Sequence, residues 1–98
     1  MLHQLPDLTG PISTAQALAS TVTRCNWVKL SSWNAVHENV GVARVGDANV
    51  STTEGCPIPP NEEVNLFPAS GANSFDLSQT FIVIPTSADV IQVSFNTV

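Results

Sequence analysis

The sequence predicts an all-β fold: a single small β-sandwich or jelly-roll-like barrel of about six to eight short strands, with an extended N-terminal arm. Three observations carry this. Runs of β-branched and aromatic residues recur at intervals of about 8–12 residues, with turn residues between them. No run has the length and period of a helix that could cross over a parallel sheet. The chain has 98 residues, enough for one domain. Residues 1–20 are assigned to the arm and residues 21–98 to the β domain.

The arm is predicted from Met1–Pro11 (MLHQLPDLTGP), where two prolines fix φ and remove two backbone donors. Ser13–Ser20 has some helix propensity but is too short to be stable alone. On this reading, deleting Met1–Pro11 leaves a folded β domain. Thr21–Leu30 reads as a strand covered on both faces, with Val22, Val28 and Leu30 on one side and Cys25 and Trp27 on the other. Ser31–Asn39 reads as a loop, Val40–Val45 as a strand and Asn49–Thr53 as a further short strand. Cys56–Pro60 (CPIPP) is predicted at an edge or in a connection, because three of its five residues lack an N–H. Glu63–Phe67 alternates as a strand does. Gln79–Ile84 is apolar on both faces, and Val90–Phe95 alternates with Ile91, Val93 and Phe95 as the inward set, or their neighbours if the register is reversed.

Composition excludes several function classes. Only 11% of residues are charged, against about 25% in an ordinary soluble domain. With three basic residues and a net charge of −5, the chain is not built to bind nucleic acid. No run reaches the roughly 18 apolar residues of a membrane span, and the N-terminus lacks the pattern of a signal peptide. Ten Ser, nine Thr and eight Asn supply most of the polarity, so the surface carries few of the long charged side chains that oppose protein contact. A surface buried against neighbours is favoured over a neutral-polar monomer, and Leu2, Leu5, Leu8, Ile12 and Trp33 are the candidate interface residues. For Trp33, packing back on its own domain remains the alternative.

No catalytic, cofactor-binding or metal site is predicted. His37 and Glu38 are neighbours in a loop, and adjacent side chains on an extended chain point apart, so an exposed loop pair is expected. The two histidines do not form a metal set. Asp47-Ala-Asn49 reads as a turn and Glu62-Glu63 as a solvated edge. Cys25 and Cys56 are expected as two reduced, packed thiols, with a single disulfide as the alternative.

A succession of short motifs covers most of Thr21–Phe95: Cys25-x-Trp27-Val28, Asn39–Asp47 (NVGVARVGD), Val50–Gly55 (VSTTEG), Pro57–Pro60 (PIPP) and Asp76–Gln79 (DLSQ). It resembles a class of small proteins encoded among the structural genes of tailed bacteriophages. The resemblance implies a β-rich capsid cement or decoration protein that binds the outside of a shell and bridges capsomers. Its implied partners are the major capsid protein and itself, as a trimer in preference to a dimer. Its implied location is the capsid surface of a virion assembled in the bacterial cytoplasm. No catalytic residues come with the resemblance. The alternatives are a virion carbohydrate-binding module using Trp33, Phe67 and Phe75, and a head–tail or tail component.

Overall fold

The structure, a computed structural model, describes residues 2–34 and 36–97. Among these, nine strands follow in order: β1 (Leu2–Thr9), β2 (Ile12–Ala17), β3 (Arg24–Ser31), β4 (Ala43–Gly46), β5 (Cys56–Ile58), β6 (Glu63–Leu66), β7 (Phe75–Asp76), β8 (Phe81–Ile84) and β9 (Val90–Thr97). A single 3₁₀ turn, Leu77–Gln79, separates β7 from β8. One sheet has the order β1-β9-β3-β6 with β7 also paired to β3; the other has the order β2-β8-β4-β5. Every named pairing is antiparallel. Both sheets keep open edges, so the all-β fold is a sandwich and not a closed barrel.

The inward residues of the two sheets form one core. Val28, Leu30, Ile91, Val93 and Phe95 come from one sheet; Ala43, Val45, Ile58, Ile82 and Ile84 come from the other. The inward set expected for the last strand is the observed one. β8 is buried on both faces, as its continuous apolar run requires: Ile82, Val83 and Ile84 are each at most 1% exposed.

The N-terminal segment departs from the expectation. Residues 2–9 and 12–17 are not a free arm but edge strands, β1 paired with β9 and β2 with β8. Pro6 fits because an edge strand can lack a donor, and the register slip between Leu5 and Leu8 absorbs it. Leu5, Leu8 and Ile12 pack against the core, which outweighs the weak helix propensity of Ser13–Ser20. The division at residue 20 therefore does not separate an arm from the domain.

Trp27 departs too. The register against β9 slips between Cys25 and Trp27, so Cys25 joins Val28 and Leu30 on the buried face. Trp27 is left only partly buried, and its indole Nε1 donates to Asn65 Oδ1 at 3.1 Å. Asn49–Thr53 is not a strand. The Asp47 carboxylate accepts from the Asn49 N–H and the Ser51 hydroxyl accepts from the Thr53 and Glu54 N–H groups, which fixes two successive turns. Of the strand expected at Val40–Val45 only Ala43–Val45 is in the sheet, where β4 runs on to Gly46, because Val40 and Gly41 give their N–H groups to a side chain. Both thiols are free, but only Cys25 is packed; Cys56 lies exposed on the edge strand β5.

Two outcomes follow for stability. Ile82→Ala lowers the unfolding free energy by about 2–5 kcal/mol, and Ile82→Asp abolishes the cooperative melt followed by circular dichroism. Deleting residues 1–11 strips β9 of its edge neighbour and also lowers the melting temperature, because β1 belongs to the sheet.

Candidate functional site

Six of the eight strand connections change sheet; only β4–β5 and β6–β7 stay within one. A chain crossing between sheets leaves the ladder and exposes backbone donors that still need partners. At one end of the sandwich Asp89 supplies them. Its carboxylate accepts from the Val40 N–H (3.0 Å to Oδ1) and the Gly41 N–H (2.8 Å to Oδ2), and lies 3.2 Å from His37 Nε2. Its own carbonyl accepts from the Gly10 N–H at 2.8 Å. The β1–β2, β3–β4 and β8–β9 crossings therefore meet at this one residue.

Asn39 completes the clamp. Its amide Nδ2 donates to the Val90 carbonyl at 2.7 Å, and its Oδ1 accepts from the Val90 N–H at 2.8 Å, so the side chain imitates a strand neighbour. Asp89 and Asn39 are 2% and 4% exposed, which makes these bonds dry and directional. Gly41 is required by space: a Cβ there would strike the Thr86 hydroxyl. Asn34 shapes the start of the loop, its Oδ1 accepting from the Val36 and His37 N–H groups. Ser32 ties the β5–β6 crossing in the same way, donating to Pro59 O and accepting from the Glu62 N–H.

Burial alone would raise the Asp89 carboxyl. The Gly41 and Val40 N–H groups and His37 outweigh it and hold the carboxyl below the usual carboxylate range. At the other crossings, the Thr23 and Ser78 N–H groups hold the Asp76 carboxyl low. Burial pushes the Cys25 thiol up, which keeps it protonated and inert.

This clamp presents an apolar tip. Val36, Val40 and Val42 are 91%, 75% and 41% exposed, and they are three of the six large apolar side chains left exposed among the described residues. His37 is half-buried against Asp89, not an exposed partner of Glu38, because an acid 52 residues away in sequence reaches its ring. The remaining interface candidates separate. Leu5, Leu8 and Ile12 face their own core, Leu2 is 65% exposed, and Trp33 is half-buried beside the clamp and bridged to Glu38. The valines of the tip were not among the candidates: Val36 lay in the predicted loop, and Val40 and Val42, which flank Gly41, lay in a segment read as a strand.

A cleft of about 700 Å³ opens at the β5/β6 side between the sheets. Val45, Val50, Leu66 and Phe75 make its apolar lining, Phe67 stands at it, and Asp47 and Glu54 are acidic residues beside it. Trp33 is not part of it. Among the described residues, no group of three or more His, Cys, Asp or Glu could hold a metal ion. Comparisons with protein-family models, curated proteins and solved structures give no match.

Asp89→Asn removes the charge and one acceptor of a backbone N–H, with an expected loss of roughly 1–3 kcal/mol at neutral pH. The folded carboxyl sits below its unfolded value of about 3.9, so its contribution is complete above that value and is lost as pH falls through the folded one. Urea melts between neutral and acidic pH will show wild-type stability falling below about pH 4, and a shallower fall in Asp89→Asn. Asp76 supplies the remaining slope.

Proposed function

We propose that this chain is a non-catalytic structural protein that decorates the outside of a bacteriophage capsid and stabilises the shell by bridging capsomers. The observation that carries the proposal is the apolar loop tip held by a buried polar clamp. Asp89 and Asn39 fix a loop whose outward side chains are Val36, Val40 and Val42. A rigid apolar tip loses little conformational entropy on docking, so more of its burial appears as affinity. Each valine fully buried at a contact contributes about 1.5–3 kcal/mol before the costs of association. The low charge of the chain, 11% of residues, suits a surface packed among many identical copies. The succession of short motifs from Cys25 to Gln79 supplies the kind of partner, the major capsid protein.

The mechanism is mechanical. A copy seated across the seam between capsomers adds contact free energy that rupture of the seam must overcome. No group on the chain has to react. The cleft beside Phe67 and Phe75 supports the carbohydrate-binding alternative, since it brings two aromatic rings near Asp47 and Asn49. Glycan binding abolished by Phe67→Ala would favour that reading.

The test is binding of purified protein to shells lacking it, followed by co-sedimentation. Wild type binds and raises the temperature or pressure at which shells rupture. Val40→Asp keeps its melting temperature, because the side chain is in solvent, and loses at least tenfold in shell affinity. Shells that never bind wild type, or that bind Val40→Asp equally well, would overturn the assignment.

A further inference from the structure

Among the described residues the sandwich has four edges: β1 on one side of the first sheet and β6 with the two-residue β7, which carries Asp76, on the other, and β2 and β5 in the second sheet. An edge presents unpaired backbone groups, and proteins that must stay apart block them with proline, charge or distortion. Three edges here are blocked. β1 carries Pro6 and Asp7. β5 carries Pro57 at its centre, so the strand is short of a donor there. β6 begins at Glu63, which pairs with Lys29 at 3.8 Å and sets charge along that edge.

β2 has neither proline nor charge within it. It lies in Gly10–Thr23, a run of fourteen residues without Asp, Glu, Lys, Arg or His. Its one distortion is the register slip between Ile12 and Gln16, which leaves Gln16 and Ala17 in step with Ile82 and Phe81. Beyond them, the Leu18 N–H donates to Thr80 O at 2.8 Å and so points at the neighbouring segment. By strand alternation the peptide groups of Ala17 face the open side. Beside this edge a cleft of about 450 Å³ lies between β1 and β2, lined by Leu5, Leu8 and Leu18 among others, with space for side chains of an added strand.

We infer that β2 pairs antiparallel with β2 of a second copy, about a two-fold axis near Ala17, joining two four-stranded sheets into one of eight. The charge distribution selects the occupant. A chain of net charge −5 carries no charged residue from Gly10 to Thr23, so two copies meet along this strand without charged side chains of the paired strands opposed; Asp7 is the one acid in the lining of the adjoining cleft. A two-fold contact is self-complementary: with the axis at Ala17, Gln16 of each copy lies diagonal to Gln16 of the other, and the exposed Thr14 of each faces the exposed Ser20 of the other. The pairing gives a dimer, where the resemblance to cement proteins implies a trimer. It stands on the strand edges alone and does not depend on what the loop tip binds.

Sedimentation equilibrium of the full chain tests it. Wild type is expected at about 21 kDa, twice the 10.4 kDa of one chain. Gln16→Lys and Gln16→Glu place like charges about 7–8 Å apart as diagonal neighbours across the axis. Each alone is expected at 10.4 kDa with an unchanged far-ultraviolet spectrum, and an equimolar mixture returns to about 21 kDa. If Gln16→Lys loses its β spectrum, the double variants Thr14→Lys/Ser20→Lys and Thr14→Glu/Ser20→Glu replace the pair, since these two exposed positions face each other across the same axis. A wild type that stays at one chain mass across the concentration range, a trimer, or a dimer that survives both single charges would overturn the inference.

Discussion

Asp89 sits where three crossings between the sheets converge, and its carboxylate is nearly out of water. A carboxylate taken from solvent without partners is costly enough to neutralise itself. Here the Val40 and Gly41 N–H groups and the His37 ring replace the lost hydration, and the charge is kept. The exchange also runs the other way. Val40 and Gly41 have left the ladder, so their N–H groups would be orphaned without an acceptor at that place. Charge and backbone satisfy each other, and the loop's conformation is set by that match. Asp76 repeats the arrangement for the Thr23 and Ser78 N–H groups at the β2–β3 and β7–β8 connections.

This distribution of polar groups explains how a chain with few charges remains well specified. Its short polar side chains work inside, at the connections. Asn39, Ser32 and Asp89 are buried and each bonds backbone. Among the described residues, no buried side-chain nitrogen or oxygen lacks a partner. The outside is then free to be apolar at chosen places, because the loops that carry the exposed valines are not held by surface charge. A loop fixed by salt bridges on its outer face would bring charge to the surface that the tip presents.

Periodicity made the central strands legible. β8 is a continuous apolar run that marks an interior strand, and in β9 the alternation points to Ile91, Val93 and Phe95 as the inward residues, the set that is buried. The same reasoning failed where a bulge changes the spacing. Cys25 and Val28 share a face only because the ladder slips between them, and no local pattern marks that slip. The N-terminal strands were misread because proline argues against a strand only when the strand is interior. At an edge, Pro6 is compatible with pairing to β9, and whether a strand lies at an edge is a property of the whole topology. The clamp was invisible for a related reason. His37 and Asp89 are 52 residues apart, and Asn39 and Asp89 each look like ordinary turn formers beside their neighbours. The candidate interface was read from apolar residues in a segment taken as irregular; Leu5, Leu8 and Ile12 turn instead to their own core once that segment is a pair of strands.

The two open seams of the sandwich are where its apolar surface stays least covered. A domain of 98 residues buries a smaller fraction of its apolar surface than a larger one, and here the shortfall is localised. One seam leaves Leu66 and Phe75 only partly covered in the larger cleft; the other leaves Leu5 and Leu8 partly covered between β1 and β2. Sheets this short cannot close over their own sides, because the strands that would do so, β5 and β7, have three and two residues. Apolar lining that the fold cannot cover is burial that a partner can still supply. Contact at such a seam stabilises the folded state by mass action, since only the folded chain presents both walls of the cleft. A partner seated at either seam would couple assembly to folding through the same side chains, adding stability without an enlarged core.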